Sequence, residues 1–163
     1  AVRLAQRWGI DPEPARHAAI LHDCTKYLEL PEQLQLCREY GVELDELERR
    51  AVKLLHSKTG ACIARAIFGE PDEVYEAIFW HTTAKENMTT LEKVIYLADY
   101  IEPNRDFDGV ERLRALCYRD LDQALLLGVE TTIQEMEERK APIHAKTLLA
   151  RNWLREHGVT IEE

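Results

Sequence analysis

Apolar residues recur along this chain three and four positions apart, and nowhere in the strict alternation of a half-buried strand, so the pattern predicts an all-α protein. Breaks between the helices are well marked. Asp11, with Pro12 and Glu13 behind it, supplies an N-cap and a first-turn proline, opening a helix expected to run to about Tyr27. Pro31 opens the next segment and Gly41 interrupts it. Leu44, Leu47, Ala51, Val52 and Leu55 have helical spacing and predict a helix over residues 43–55; others are expected over 57–68, 72–80 and 89–101. Thr89 with Glu92 makes a capping box at the start of the last of these. A polar, turn-rich loop, Glu102-Pro103-Asn104-Arg105-Asp106, comes next, in a position where binding groups accumulate. Helical spacing resumes over residues 110–139, with one break near Tyr118, and over 143–157. Residues 1–9 look like the second half of a helix stopped by Gly9, without an initiator methionine or a cap, so further helical residues upstream are expected. With no repeat, low-complexity tract or linker, residues 1–163 read as a single domain.

Four times, a ligand-type residue stands where a buried apolar stripe should continue. His22-Asp23 closes Ala18-Ala19-Ile20-Leu21, His56 follows Leu54-Leu55, His81 follows Ile78-Phe79-Trp80, and Asp99 follows Leu97-Ala98. Burying an imidazole or carboxylate without a partner costs a few kcal/mol, and an unpaired charge costs more. A lone histidine on an apolar face is more often a hydrogen-bonded core residue than a ligand. Five such residues together point instead to one shared cation.

Composition then narrows what such a site serves. A chain of 163 residues suits one domain with a real core, and 45% hydrophobic with 31% charged residues is ordinary for a soluble protein. No apolar run approaches the roughly 20 residues of a membrane span, and no signal peptide is visible. Cys24, Cys37, Cys62 and Cys117 show neither close pairing nor zinc-type spacing, which fits reduced thiols and a cytoplasmic location. A net charge of −9 argues against long nucleic acids, whose binding depends on many Lys and Arg contacts to phosphate. A small nucleotide held by metal and a few local cations stays compatible with it.

The order His22-Asp23, His56, His81, Asp99 resembles the HD-domain metal-dependent phosphohydrolases. Further strings sharpen the likeness: Leu21-His22-Asp23-Cys24-Thr25-Lys26, Leu55-His56-Ser57-Lys58-Thr59-Gly60, Trp80-His81-Thr82-Thr83, Ala98-Asp99 through Arg105, and Pro142-Ile143-His144-Ala145-Lys146-Thr147. Together they are similar to the bacterial YqeK-type branch, which cleaves diadenosine tetraphosphate symmetrically to two ADP. The resemblance implies an HD-domain helical bundle around a metal site, with Asp23 bridging two ions, His56 and His81 on the second, and His22 and Asp99 on the first. It implies a di-iron centre; mixed imidazole and carboxylate ligation by itself also suits manganese, nickel, cobalt or zinc. The family's first metal-binding histidine lies well before the HD pair, and no residue before His22 supplies it, His17 being offset to another helix face. An impaired enzyme, or a nucleotide-binding module without turnover, is therefore an alternative, as is an HD phosphohydrolase acting on a mononucleotide or a guanosine alarmone. A homodimer is one assembly this reading admits.

Phosphoanhydride hydrolysis needs a nucleophile at neutral pH and cover for the charge on the phosphoryl oxygens, and a metal pair suits both. Lys26, one turn after His22, is expected to act alongside Asp23 in catalysis and to reach a phosphate. Arg105 matches the family's nucleotide-binding position, and Thr82 has a hydroxyl to donate. Ile143, His144, Lys146 and Thr147, at the start of the last helix, are expected to meet the nucleotide, with plain capping as the blander role. His17, His157 and the runs Asp45-Glu46-Leu47-Glu48 and Glu135-Met136-Glu137-Glu138 are assigned to solvated surface.

Overall fold

The computed structural model describes residues 1–161, and among these it is helical without a strand. The helices are α1 (Val2–Arg7), α2 (Pro12–Leu21), α3 (Leu30–Glu39), α4 (Val52–Phe68), α5 (Asp72–Phe79), α6 (Thr90–Tyr100), α7 (Val110–Arg119), α8 (Leu121–Glu138) and α9 (Ala145–Glu156), with a single 3₁₀ turn at Glu48–Arg50. Helices α2, α4, α5 and α6 pack against one another; α8 lies on α6 and is flanked by α7 and α9. Ala15, Leu55, Ile78, Val94, Leu97 and Leu125 form part of the core between them, each 0–1% exposed. No helix among the described residues is long and apolar enough to cross a membrane.

The expected start signals operate. Asp11 accepts the Glu13 N–H at the head of α2, and Thr89 and Glu92 complete their capping box at α6. The chain break expected near Tyr118 falls at Asp120, whose carboxylate accepts the Asp122 and Gln123 N–H groups and starts α8 afresh. His17 and His157 are exposed as expected.

Two boundaries differ from the sequence reading, and both matter for the site. Helix α2 stops at Leu21, and residues 22–27 run on as tight turns, not as helix to Tyr27. Tertiary bonds override helical propensity here: the Thr25 hydroxyl reaches the His56 carbonyl at 3.0 Å and Thr59 Oγ1 at 2.8 Å, while Gln33 Nε2 donates to the Thr25 carbonyl at 2.7 Å. Residues 43–51 are likewise not one helix ending beside His56. Asp45 and Glu48 exchange backbone-to-carboxylate hydrogen bonds of 2.9 and 2.8 Å, which fold a local turn, and α4 then runs unbroken from Val52 through His56.

Helix α4 carries four consecutive buried polar residues, His56, Ser57, Lys58 and Thr59. At about 100° per residue they point around the whole helix circumference, so each needs a partner on a different element. His56 faces His81; Ser57 Oγ meets Thr82 Oγ1 at 2.9 Å; Lys58 Nζ lies 2.6 Å from Glu48; Thr59 meets Thr25 and Gln33. Gly60 follows them, because a Cβ there would stand 3.2 Å from the His22 carbonyl oxygen. The turn bearing His22-Asp23 is thereby pressed directly onto α4.

Candidate metal centre

Each histidine of the predicted set is fixed the same way. His22 Nδ1 bonds to the Ala19 carbonyl at 2.7 Å, His81 Nδ1 to Ile78 at 2.6 Å, and His56 is bonded to the Lys53 backbone; each partner lies three residues earlier. With Nδ1 donating to a carbonyl, the lone pair of each ring sits on Nε2. Those nitrogens converge. His56 Nε2 lies 3.2 Å from His81 Nε2 and 3.1 Å from Asp23 Oδ1, His81 Nε2 is 3.7 Å from Asp23 Oδ1, and His22 Nε2 is 3.6 Å from Asp23 Oδ2 and 3.8 Å from Asp99 Oδ1.

Lone pairs aimed at each other and at carboxylates repel unless a cation joins them. Asp23 Oδ1 is buried with no hydrogen-bond partner, the single such side-chain atom among the described residues. An orphaned carboxylate oxygen between imidazole nitrogens fits a shared divalent ion, and His22, Asp23 and His81 already bring their ligand atoms within 4.8 Å of one another. The electrostatics favour ligand forms at neutral pH. Burial and the neighbouring His81 push His56 down to about 4, so it stays neutral. Burial works against ionisation of Asp23 and Asp99, but His81 and Lys26 outweigh it at Asp23, and His22 with Arg105 holds Asp99 at about 2. His22 alone moves upward: burial opposes protonation, and Asp99, the Ala19 carbonyl and Asp23 overcome it.

Beside these groups opens a cleft of about 230 Å³. Lys26, Thr82 and Arg105 line it. Lys26 Nζ lies 2.7 Å from Asp23 Oδ2, and Arg105 bonds to both the carbonyl and the carboxylate of Asp99 at 3.1 and 3.2 Å. Arg114, which carries no motif that singles it out in the chain, holds the loop: it donates to the carbonyls of Ile101, Glu102 and Arg105 at 2.9–3.2 Å.

Ile143, His144, Lys146 and Thr147 do not line this cleft. Thr147 Oγ1 donates to the Thr83 carbonyl at 2.8 Å and Lys146 pairs with Glu86 at 3.1 Å, which ties the head of α9 to the turn after His81. His144 caps α9 through Nδ1, which accepts the Lys146 N–H, so Nε2 carries the proton given to Glu48 at 3.0 Å. Asp45, Glu48 and His144 have metal-ligand chemistry, but that proton and the Lys58 ammonium already satisfy Glu48. Glu48 is 3% exposed, which corrects its assignment to a solvated face: its acidic neighbours are outside, while it turns inward to neutralise Lys58. Glu135 and Met136, half-buried, line the cleft, while Glu137 and Glu138 are exposed as expected.

A match to the HD-domain family model spans residues 1–104, which hold all five converging groups. The chain belongs to the HD-domain family. Within it, this HD protein falls among the symmetrical bis(5'-nucleosyl)-tetraphosphatases. It is 39% identical to the protein of that name from Bacillus subtilis, over 94% of this chain and 83% of that one. The Staphylococcus aureus protein of the same name is 33% identical over 94% of this chain and 80% of its own length. A crystal structure from Clostridium acetobutylicum, described as a predicted HD superfamily hydrolase involved in NAD metabolism, superposes with a TM-score of 0.92 at 40% identity. That alignment covers 96% of this chain and 83% of the other. HD domains bind divalent metals, in keeping with the donor set assembled around Asp23.

Proposed function

We propose that this HD protein is a metal-dependent hydrolase that cleaves diadenosine tetraphosphate at its central anhydride, giving two ADP. The convergence of His22, His56 and His81 on the buried, unpartnered Asp23 Oδ1 carries the reading, and the activity named for the Bacillus subtilis and Staphylococcus aureus relatives supplies the substrate. His22, Asp23, His56, His81 and Asp99 would hold the metal, Asp23 lying between the imidazoles. We assign iron, as a pair of ions, by the family likeness. When bound, the metal supplies positive charge against the phosphoryl oxygens and makes water a competent nucleophile near neutral pH.

The remaining work falls to this chain's own side chains. Water adds to one inner phosphorus, the bridging oxygen leaves with the second ADP, and the two protons of the water pass to the new terminal phosphates or to solvent. Lys26 and Arg105 border the cleft with flexible, solvent-reaching side chains, 56% and 46% exposed, and hold charge that spreads over the phosphoryl oxygens. The Thr82 hydroxyl lines the cleft beside them and is held by Ser57 Oγ, which itself donates to the Leu54 carbonyl; to meet a phosphate, Thr82 turns its proton from Ser57 to the ligand. Their local positive charge lets a protein of net charge −9 receive a polyanion. Product chromatography tests the assignment. Two ADP are expected; ATP plus AMP overturns symmetrical cleavage, and no turnover by the metal-loaded protein overturns the hydrolase.

A further inference from the structure

The head of α9 stands apart from the cleft, and what it holds is the turn after α5. His81, Thr82 and Thr83 continue α5 as a tight turn, and Ala84 closes it by donating its N–H to the Trp80 carbonyl at 2.9 Å. To do so Ala84 bends into the left-handed region at a φ of 59°, the bend that Gly69 makes after α4 at 70°. Glycine takes that bend freely, but alanine is strained in it, and the bend persists only where its surroundings hold it. Ala84 is fully buried and lies three residues after a candidate metal ligand, so a slip of the bend would be felt at His81.

Helix α9 supplies the hold. The Thr147 hydroxyl donates to the Thr83 carbonyl at 2.8 Å, and both residues are buried, so water does not stand in for it. Lys146 adds an ion pair to Glu86 at 3.1 Å, but both side chains are partly exposed and such a pair contributes little. Thr82 is tied separately, through its hydroxyl to Ser57 of α4, which leaves its backbone free. We infer that Thr147 is a positioning residue for the metal centre: by binding the Thr83 carbonyl it keeps the Ala84 bend closed and fixes the place of His81. The Nε2 of His81 stands 3.2 Å from that of His56 and 3.7 Å from Asp23 Oδ1, a spacing that a drift of the turn would open. Helix α9 thereby sets a ligand that it does not touch. The inference rests on the metal-centre reading above and gives Thr147 a role other than nucleotide contact.

Calorimetric titration of metal-free protein with manganese, well below the melting transition, tests this in Thr147→Val, Thr147→Ser and Leu154→Val beside wild type. Valine keeps the shape of threonine without the donor, and serine keeps the donor. Leu154, two turns further along α9 and buried, loses one methylene as valine and lowers the melting temperature without touching Thr83. The expected result is manganese binding about tenfold weaker in Thr147→Val, as for one lost buried hydrogen bond, with Thr147→Ser within about twofold of wild type. Leu154→Val should bind as wild type does. Undiminished affinity in Thr147→Val overturns the inference, as does equal weakening in Leu154→Val or failure of serine to restore binding. In an Ala84→Gly background, where the bend needs no holding, the valine substitution should cost less affinity; an equal loss overturns the role given to the bend. Wild type that binds no manganese overturns the metal-centre reading itself, an outcome visible before any variant is compared.

Discussion

Replacing Glu48 by glutamine should destabilise the protein by about 3 kcal/mol at neutral pH, and the loss should fade in acid. Glu48 is 3% exposed and accepts Lys58 Nζ at 2.6 Å and His144 Nε2 at 3.0 Å. Burial alone would raise its pKa, but the His144 and Lys58 hydrogen bonds outweigh that and hold the carboxyl at about 2 against its usual 4.5. At about 1.4 kcal/mol per pH unit, that displacement corresponds to roughly 3 kcal/mol. An independent route gives the same size: neutralising one partner of a buried ion pair typically costs about 3–5 kcal/mol, since Lys58 would lose its counter-charge and keep a neutral amide oxygen and the face of Phe79 at 4.8 Å. The folded-state pKa is depressed, so this stabilisation is full above pH 4.5 and is lost as pH falls through about 2. Urea unfolding of wild type and Glu48→Gln between pH 7 and pH 3 checks it. The difference should be near 3 kcal/mol at pH 7 and shrink below about pH 5. A difference under about 1 kcal/mol at pH 7, or one constant across the range, refutes the reasoning.

Asp23→Ala removes the carboxylate on which three imidazoles converge; metal analysis should find the protein stripped and the product assay no turnover, and full metal content would contradict the bridging assignment. Arg105→Ala should retain metal yet weaken ADP binding by about 1.5 kcal/mol, the low end for a charge-assisted hydrogen bond because the side chain is exposed; equal affinity in calorimetry refutes the contact. Arg114→Ala should weaken ADP binding as well, without touching nucleotide, by freeing the carbonyls of Ile101, Glu102 and Arg105; unchanged binding would show the loop holds without it. Gly60→Ala adds a Cβ 3.2 Å from the His22 carbonyl, and the cost of overpacking, about 1–3 kcal/mol, should exceed the roughly 1 kcal/mol that alanine gains in a helix. Thermal melting should fall and metal affinity with it; a higher melting temperature refutes the close approach.

Much of the architecture was legible in the chain because its signals are local. The three-and-four spacing of apolar residues, the Asp11 and Thr89 caps and the absence of alternation specify helices without reference to any distant contact. His22, Asp23, His56, His81 and Asp99 stood out for a related reason: polar residues on buried faces demand a partner, and several together demand a common one. Their spacing along the chain said nothing of distance, and only the packing of α2, α4, α5 and α6 brings them within 4 Å of a neighbour in the set.

What the tertiary structure alone decided concerns residues whose local pattern points the wrong way. Residues 22–27 have helical character, yet Thr25, Gln33 and Thr59 bond across the fold and pull them into turns, which is what swings Asp23 toward His56 and His81. Glu48 and Glu135 sit in acidic runs that read as solvated, because charge is the only property a sequence shows there. One is turned inward by Lys58 and His144, and the other lies on the side of α8 that walls the cleft. Apolar periodicity follows from the geometry of one helix and can be read from the chain; the partner of a buried charge belongs to another helix, and only the fold supplies it.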